Sequence, residues 1–321
     1  MGALNAPWID RALKRPEAAP IAFLVVISLL LALTTPGFWS SANLLNIISQ
    51  VAVVGIVSLA LNQVILSGEI DVSIGSLLAA CAFTYASVGH LTIHPLLPLL
   101  AALGVGLGVG ALNGVIVTVG RVPSIIATLG MLLGLRGVVL LIGANGVLLV
   151  PDGARAFGLG SIAGLRAPIV GLVVVFAIFD LINRNTEWGR DILAVGSNRR
   201  AADAVGLRAS FVKFRCFLAT GLGCGLASAI FAGQIGEIQA TAATGFELQC
   251  IAAVVLGGTS ITGGRGSTLA PVIGAVLVGV ILNALTLNSV PGTFEQLVLG
   301  LLILLAISVD AVRFRASRRL S

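Results

Sequence analysis

The chain has 321 residues, 57% of them hydrophobic and 10% charged, with 19 Lys and Arg against 13 Asp and Glu for a net charge of +6. A mean hydropathy of +1.08 leaves too little polar surface for a water-soluble domain of this length, so lipid is the solvent. The positive balance does not point to nucleic acid, because the basic residues sit in short clusters between apolar runs and form no stripe.

At the N-terminus, Arg11, Lys14 and Arg15 precede an apolar run from Ile21 to Leu33, with no small-x-small cleavage site before Pro36. This reads as a retained signal-anchor. Apolar runs that can cross about 30 Å of hydrocarbon fall near 20–35, 44–66, 72–89, 96–119, 124–143, 168–183, 214–235, 248–262, 268–288 and 294–310, ten in all. The first, sixth and eighth are shorter than the roughly 20 residues of an upright spanning helix. Proline and glycine at their edges, as in Pro36-Gly37, Pro95, Pro123, Pro168 and Pro291-Gly292, mark turns. The expected fold is an all-α integral membrane protein of about ten transmembrane helices. Residues 1–321 form one domain, with a cytoplasmic tail at 1–19, a cytoplasmic loop at 184–213 and a second tail at 311–321.

Orientation follows from charge. With a cytoplasmic N-terminus, all of the 19 Lys and Arg except Arg136, Arg155 and Arg166 fall on the inner side. The positive-inside bias therefore places both ends inside a bacterial inner membrane, with the Gly-rich stretch 144–167 outside. Many of the 40 glycines lie within runs, as in Gly104, Gly106, Gly108 and Gly110 or the pair Gly221 and Gly225, and predict close helix packing. Residues 64–79 align without gaps on 255–270 with six of sixteen positions identical, which reads either as a remnant of duplication or as chance. Cys81, Cys216, Cys224 and Cys250 lie in or beside apolar runs without a CxxC spacing, and read as small buried residues. His90 and His94 have no acidic neighbour, so no metal site is expected, and nothing in the chain calls for a cofactor.

The stretch from Gly257 to Ser267 is glycine-rich but lacks the lysine that a phosphate loop needs after its last glycine, so the chain is not expected to bind nucleotide or act as an enzyme. Glu69 and Asp71 interrupt a long apolar region. Two readings stand for them, capping of the next helix by Asp71 or Ser73, or gating and pathway lining. Glu247, opening the eighth run, has the same two readings. Arg136 lies within the fifth run and needs a partner. In the inner loop, Gly189 to Arg208 contains a short helix that Ser197 or Asn198 caps and Gly206 ends, suited to docking a cytoplasmic partner.

These residues carry a resemblance. Ser67-Gly-Glu-Ile-Asp-Val-Ser-Ile-Gly75, Asn113-Gly114 with Val122 to Gly130 and Arg136-Gly137, Gly189-Arg190 through Gly206-Leu207, and above all Glu247 to Ser267 are similar to the ribose-type branch of ABC importer permeases. The similarity covers about residues 44–310. It implies a type II-like, ten-span permease that pairs with a second copy or a paralogue, two cytoplasmic ABC ATPase domains and a periplasmic substrate-binding protein. It also implies that the loop around 197–207 enters a groove of the ATPase. Glu69 departs from the family pattern, where a glycine is usual. Gln234 to Gln239 and the following Thr-Gly pair are similar to the branch that handles rhamnose or autoinducer-2.

The candidate ATPase-coupling residues are then Gly196, Ser197, Asn198, Arg199, Arg200, Ala201, Ala202, Gly206 and Leu207. The candidate pathway or gating residues are Glu69, Asp71, Ser73, Asn113, Glu247, Thr259 and Ser260. The expected function is import of a monosaccharide such as ribose or rhamnose, or of autoinducer-2, powered by separate ATPase subunits. The alternative is a stand-alone secondary transporter or channel, which the lack of histidines and the scarcity of carboxylates within the runs disfavour.

Overall fold

The computed structural model describes residues 17–92, 94, 96–143 and 146–318, without the side chains of 306, 307 and 309–318. Arg11, Lys14 and Arg15 of the expected N-terminal tail, Pro95 and Arg319 lie outside the described residues. In chain order the elements are helices α1 (Ala18–Thr34), α2 (Ser41–Leu66), α3 (Ile74–Gly89), α4 (Leu96–Thr118) and α5 (Ser124–Gly143), then strand β1 (Val147–Leu149). After a 3-10 turn at Asp152–Arg155 come α6 (Ala156–Leu159), strands β2 (Ser161–Ile162) and β3 (Leu165–Arg166), and helix α7 (Ala167–Asn185). The chain continues through α8 (Glu187–Ser197), α9 (Arg199–Ala204), α10 (Ala209–Ile235), β4 (Glu237–Gln239), α11 (Phe246–Leu256), α12 (Ala270–Leu287) and α13 (Thr293–Arg318).

Every apolar run of the sequence holds a helix, and six of them (α2, α4, α5, α7, α10 and α12) are long and apolar enough to cross a membrane. The sixth run, expected to be short, extends through its flanks to the 19 residues of α7. α1, α3, α11 and the apolar stretch Thr293–Leu305 of α13 are shorter. α3 is shortened because residues 67–73 before it are not helical. α11 has 11 residues because Gly258 ends it in a left-handed conformation, with φ +111°. The expected tail at 311–318 continues α13.

α10 is the central helix and packs on α4, α2 and α3, while α12 lies between α2 and α11. The α4–α10 contact depends on glycine. A Cβ on Gly106 would collide with the Gly221 carbonyl, and one on Gly110 would come within 2.6 Å of the Phe217 carbonyl. Gly104 and Gly108 point the other way into open space, so only alternate glycines of the run do the packing. α5 and α7 are the least buried of the six long helices and turn apolar side chains such as Leu133, Leu141 and Leu181 outward.

The bundle has two distinct ends. At one, the sheet end, β1 pairs antiparallel with β4, with Leu148 opposite Ile238, and β2 pairs with β3. Tyr85 donates to the Ala154 carbonyl there at 2.6 Å. At the other, the hub end, the turns 67–73 and 257–269 meet α8 and α9. The two halves of the internal echo close their helices alike. Gly68 and Glu69 donate to the carbonyls of Ile65 and Val64, and Gly258 and Thr259 to those of Val255 and Val254. This pairs Gly68 with Gly258, one residue off the ungapped alignment.

Candidate functional site

α8 buries Gly189, Ile192 and Val195, one face of a helix, against α2 and α10. α9 follows directly and is capped at both ends. Asn198 Oδ1 accepts from the Ala201 amide at 3.1 Å, while Ser197 turns its hydroxyl to the Gly264 carbonyl. At the C-terminal end Gly206, with φ +87°, donates to the Asp203 carbonyl and Leu207 to that of Ala202. Arg199, Arg200 and Ala201 are exposed, as are Ala204, Val205 and Gly206. Ala202 is not part of that surface. It is 4% exposed and packs with Ile192, Val195, Ala209 and Val212, because the helix turns every third and fourth residue inward. Ala202, one of the candidate coupling residues, thus faces the interior and supports α9 from within.

The hub is held by backbone packed on backbone. Gly264 donates to the Leu66 carbonyl at 2.9 Å. A Cβ on Gly196 would collide with that same carbonyl, and one on Gly263 would lie 2.7 Å from Gly68 Cα. Thr259, fully buried, donates to Asn62 Oδ1 at 2.8 Å, and Asn62 in turn donates to the Ser267 carbonyl at 3.1 Å. Ser260 hydrogen-bonds Thr262 through their hydroxyls at 3.0 Å. Thr259 and Ser260 thus build the turn that supports Gly196 and Ser197.

Turn 67–73 runs from this hub into the bundle. Its amides at Ile70 and Val72 donate to Ser124 Oγ and Thr128 Oγ1 of α5, both at 3.2 Å. Asp71 is 1% exposed. Its Oδ1 accepts from the Ser73 amide at 2.9 Å and from the Ser73 hydroxyl at 2.6 Å, and Asn113 of α4 donates to that hydroxyl at 2.9 Å. Ser73 occupies the N-cap position of α3, but its side chain accepts nothing from the first turn; it serves Asp71 instead. Asp71 Oδ2 and Asn113 Oδ1 are buried without a partner among the described residues. Burial raises the Asp71 carboxyl above its ordinary range, with the Ser73 hydrogen bonds opposing. Glu69 behaves differently: it forms an ion pair with Lys213 of α10.

Glu247, in the first turn of α11, lies against α3 two residues beyond Ser73: a Cβ on Gly75 would collide with its carboxylate. Arg136 is half-buried and donates through Nη1 to the carbonyls of Ala240 and Ala242, at 2.9 and 2.7 Å. The partner that the sequence left unnamed is the segment leading into α11. The coupling and pathway candidates therefore line up from α9 through the hub and turn 67–73 to the first turn of α3, where Gly75 meets Glu247 of α11.

A cavity of about 420 Å³ opens among α2, α10, α11, α12 and α13 toward the sheet end. Its polar lining is Gln50, Gln234, Thr244, Gln249, Thr286 and Glu295, set among Val51, Val54, Phe231, Phe246 and Leu282. Gln234 is fixed by donating to the Ser49 carbonyl at 2.8 Å. Three amides, two hydroxyls and one carboxylate on apolar walls suit a hydroxyl-rich solute better than an anion.

Residues 43–307 match the family described as branched-chain amino acid transport system / permease component. The chain belongs to this permease family. The permease is 37% identical over 308 residues to the ribose import permease protein RbsC of Escherichia coli (strain K12), an alignment covering 94% of this chain and 96% of that protein. It is 32% identical to RbsC of Bacillus subtilis (strain 168), with 92% of each covered. To the L-arabinose ABC transporter permease protein AraH of Azospirillum brasilense it is also 32% identical, covering 93% of this chain and 88% of that one. No solved structure matches the permease.

The permease is thus a multi-pass membrane transport component and not an enzyme, as the sequence implied. Reading the sequence singled out Gln234 but missed the other two amides of the cavity, Gln50 and Gln249, and the ion pair of Lys213. Gln50 and Gln249 carried a signal, as amides within apolar runs. Lys213 gave none, being one basic residue among several at the base of α10.

Proposed function

We propose that this chain is the membrane-spanning subunit of an ABC importer for a monosaccharide. What carries the reading is the alignment, over nearly the whole chain, with permeases named for ribose and arabinose import. The protein has ten spans in a type II-like arrangement, the six long helices plus α1, α3, α11 and the apolar part of α13. Both ends and the hub face the cytoplasm, and the sheet end faces the periplasm. Two copies, or one copy and a paralogue, flank the pathway. Two ABC ATPase domains bind the hub, and a periplasmic substrate-binding protein delivers the sugar to the sheet end.

α9 is the coupling element in this reading, presenting Arg199, Arg200, Ala201, Ala204 and Val205 to the ATPase. Two rigid caps keep it a single body, which is what transmission between sites requires. The cavity at the sheet end is the outer part of the pathway. Turn 67–73, with Asp71, Ser73 and Asn113, lies on its inner part, and Glu247 stands between the two. The test is reconstitution of the permease with its ATPase and binding protein in proteoliposomes. ATP-dependent uptake of at least one labelled monosaccharide among ribose, arabinose, fructose and rhamnose is expected. Uptake that proceeds without ATPase, driven by an ion gradient, would replace this reading with a secondary transporter.

A further inference from the structure

The hub contains an ion pair that joins one candidate gating residue, Glu69, to a lysine outside the candidate set. Lys213 Nζ bonds Glu69 Oε1, and the two side chains are 10% and 17% exposed. The other ion pairs among the described residues differ. Arg199–Asp203 links exposed neighbours at 3.8 Å, Asp180–Arg184 joins neighbours one helical turn apart through an arginine that is 71% exposed, and Asp191–Arg215 is 3.8 Å long. Exposed or loosely spaced pairs contribute little, whereas parting a close, largely buried pair leaves two uncompensated charges.

Its two ends belong to different bodies. Lys213 sits at the base of α10, which is joined to α9 in one corner. Asp203 Oδ1 accepts from the Ala209 amide at 3.4 Å, and Ala202 is buried against Ala209 and Val212. Glu69 sits in turn 67–73, two residues from Asp71. The pair borders a cavity of about 210 Å³ at the hub end, onto which Arg121, Arg199 and Ser210 also face. Glu69 therefore has space beside it and a second cation, Arg199, on α9 itself. A displacement of α9 changes the cationic field on this one carboxylate.

We infer that the Glu69–Lys213 pair is a positioning link that makes turn 67–73 follow the α9–α10 corner. Neither residue touches the transported solute. The pair conveys movement from the partner-facing helix to the turn that carries Asp71 and Ser73. This rests on the coupling role of α9 proposed above, and it adds Lys213 as a residue on which coupling depends.

The experiment uses the complete reconstituted complex and reads two quantities, sugar imported per ATP hydrolysed and the apparent thermal midpoint of the complex. Glu69→Gln and Lys213→Met are each expected to lower the import ratio about fivefold or more, the lower end of typical coupling effects. The charge-swapped double variant Glu69→Lys/Lys213→Glu recovers most of the ratio. The uncharged double variant Glu69→Leu/Lys213→Met recovers the midpoint but not the ratio, because apolar packing replaces the lost stability without the charge link. Single variants that keep the wild-type ratio overturn the inference. So does recovery of the ratio by the uncharged double variant, which would make the pair a packing element alone. Uptake by the wild-type complex tests the importer reading, and the spread between variants tests the link, so the two failures are distinguishable.

Discussion

Asp71 is a carboxyl taken out of water with no cation paired to it among the described residues, and its raised proton affinity has a readable consequence. The folded protein binds that proton more tightly than the unfolded chain does. Its contribution to stability is therefore complete at low pH and falls as pH rises past the ordinary carboxylate value through the raised one. Asp71→Asn keeps an acceptor for the Ser73 amide and hydroxyl and removes the charge. The variant should insert normally, and its apparent thermal midpoint in detergent should fall less than that of the wild type between pH 5 and pH 8. Equal slopes for the two proteins would show that Asp71 is charged in the fold. Asp71→Ala strands two buried donors and should cost about 1–3 kcal/mol for each. Gly196 is governed by steric contact instead. Its missing Cβ is replaced by the Leu66 carbonyl and the Gly264 amide, both of them backbone, so no side-chain rotation relieves a clash. Gly196→Ala should lower the amount of folded protein recovered by size-exclusion chromatography, whereas Gly104→Ala, facing open space, should not.

α9 shows how far a short element can be read before its neighbours are known. Its N-cap at Asn198 and its glycine stop at Gly206 were legible, because both depend on the chain within four residues. Which of its alanines faces inward was not, because that depends on α8 and α10. α8 itself was hidden in a loop that the sequence marks only as charged, and its anchors Ile192 and Val195 became evident from their packing. The same limit explains α11, whose run was read through to residue 262 although Gly258 turns the chain at the hub. The two faces of α9 give an ordered pair of outcomes. Ala202→Glu buries a charge among Ile192, Val195 and Val212 and should reduce folded yield. Val205→Glu, at a position 77% exposed, should leave folding unchanged and weaken assembly with the ATPase, measured by co-purification. A Val205→Glu protein that assembles as well as the wild type would move the docking face away from α9.

At the scale of the whole molecule, charge bears on sidedness and packing on which loops share an end. The clusters of Lys and Arg are what supports the proposed cytoplasmic orientation of the hub loops, through the positive-inside bias. The packing gathers the same loops at one end: Arg121, Arg199 and Lys213 line one cavity, and Gly264 meets Leu66 beside Gly196. The exceptions to the bias, Arg155 and Arg166, lie at the sheet end. Arg155 donates to the Gly233 carbonyl at 3.4 Å and Arg166 to Ser49 Oγ at 3.2 Å, so both are tied to protein and carry little weight as topological signals. The four native cysteines are all buried and free, which makes single engineered cysteines selective reporters. Ser161→Cys, exposed on β2, should react with a membrane-impermeant maleimide added to intact spheroplasts. Ala204→Cys, exposed on α9, should react only after the membrane is opened. The reverse pattern would invert the protein, turn the hub away from any cytoplasmic ATPase, and remove the coupling role of α9 together with that of Lys213.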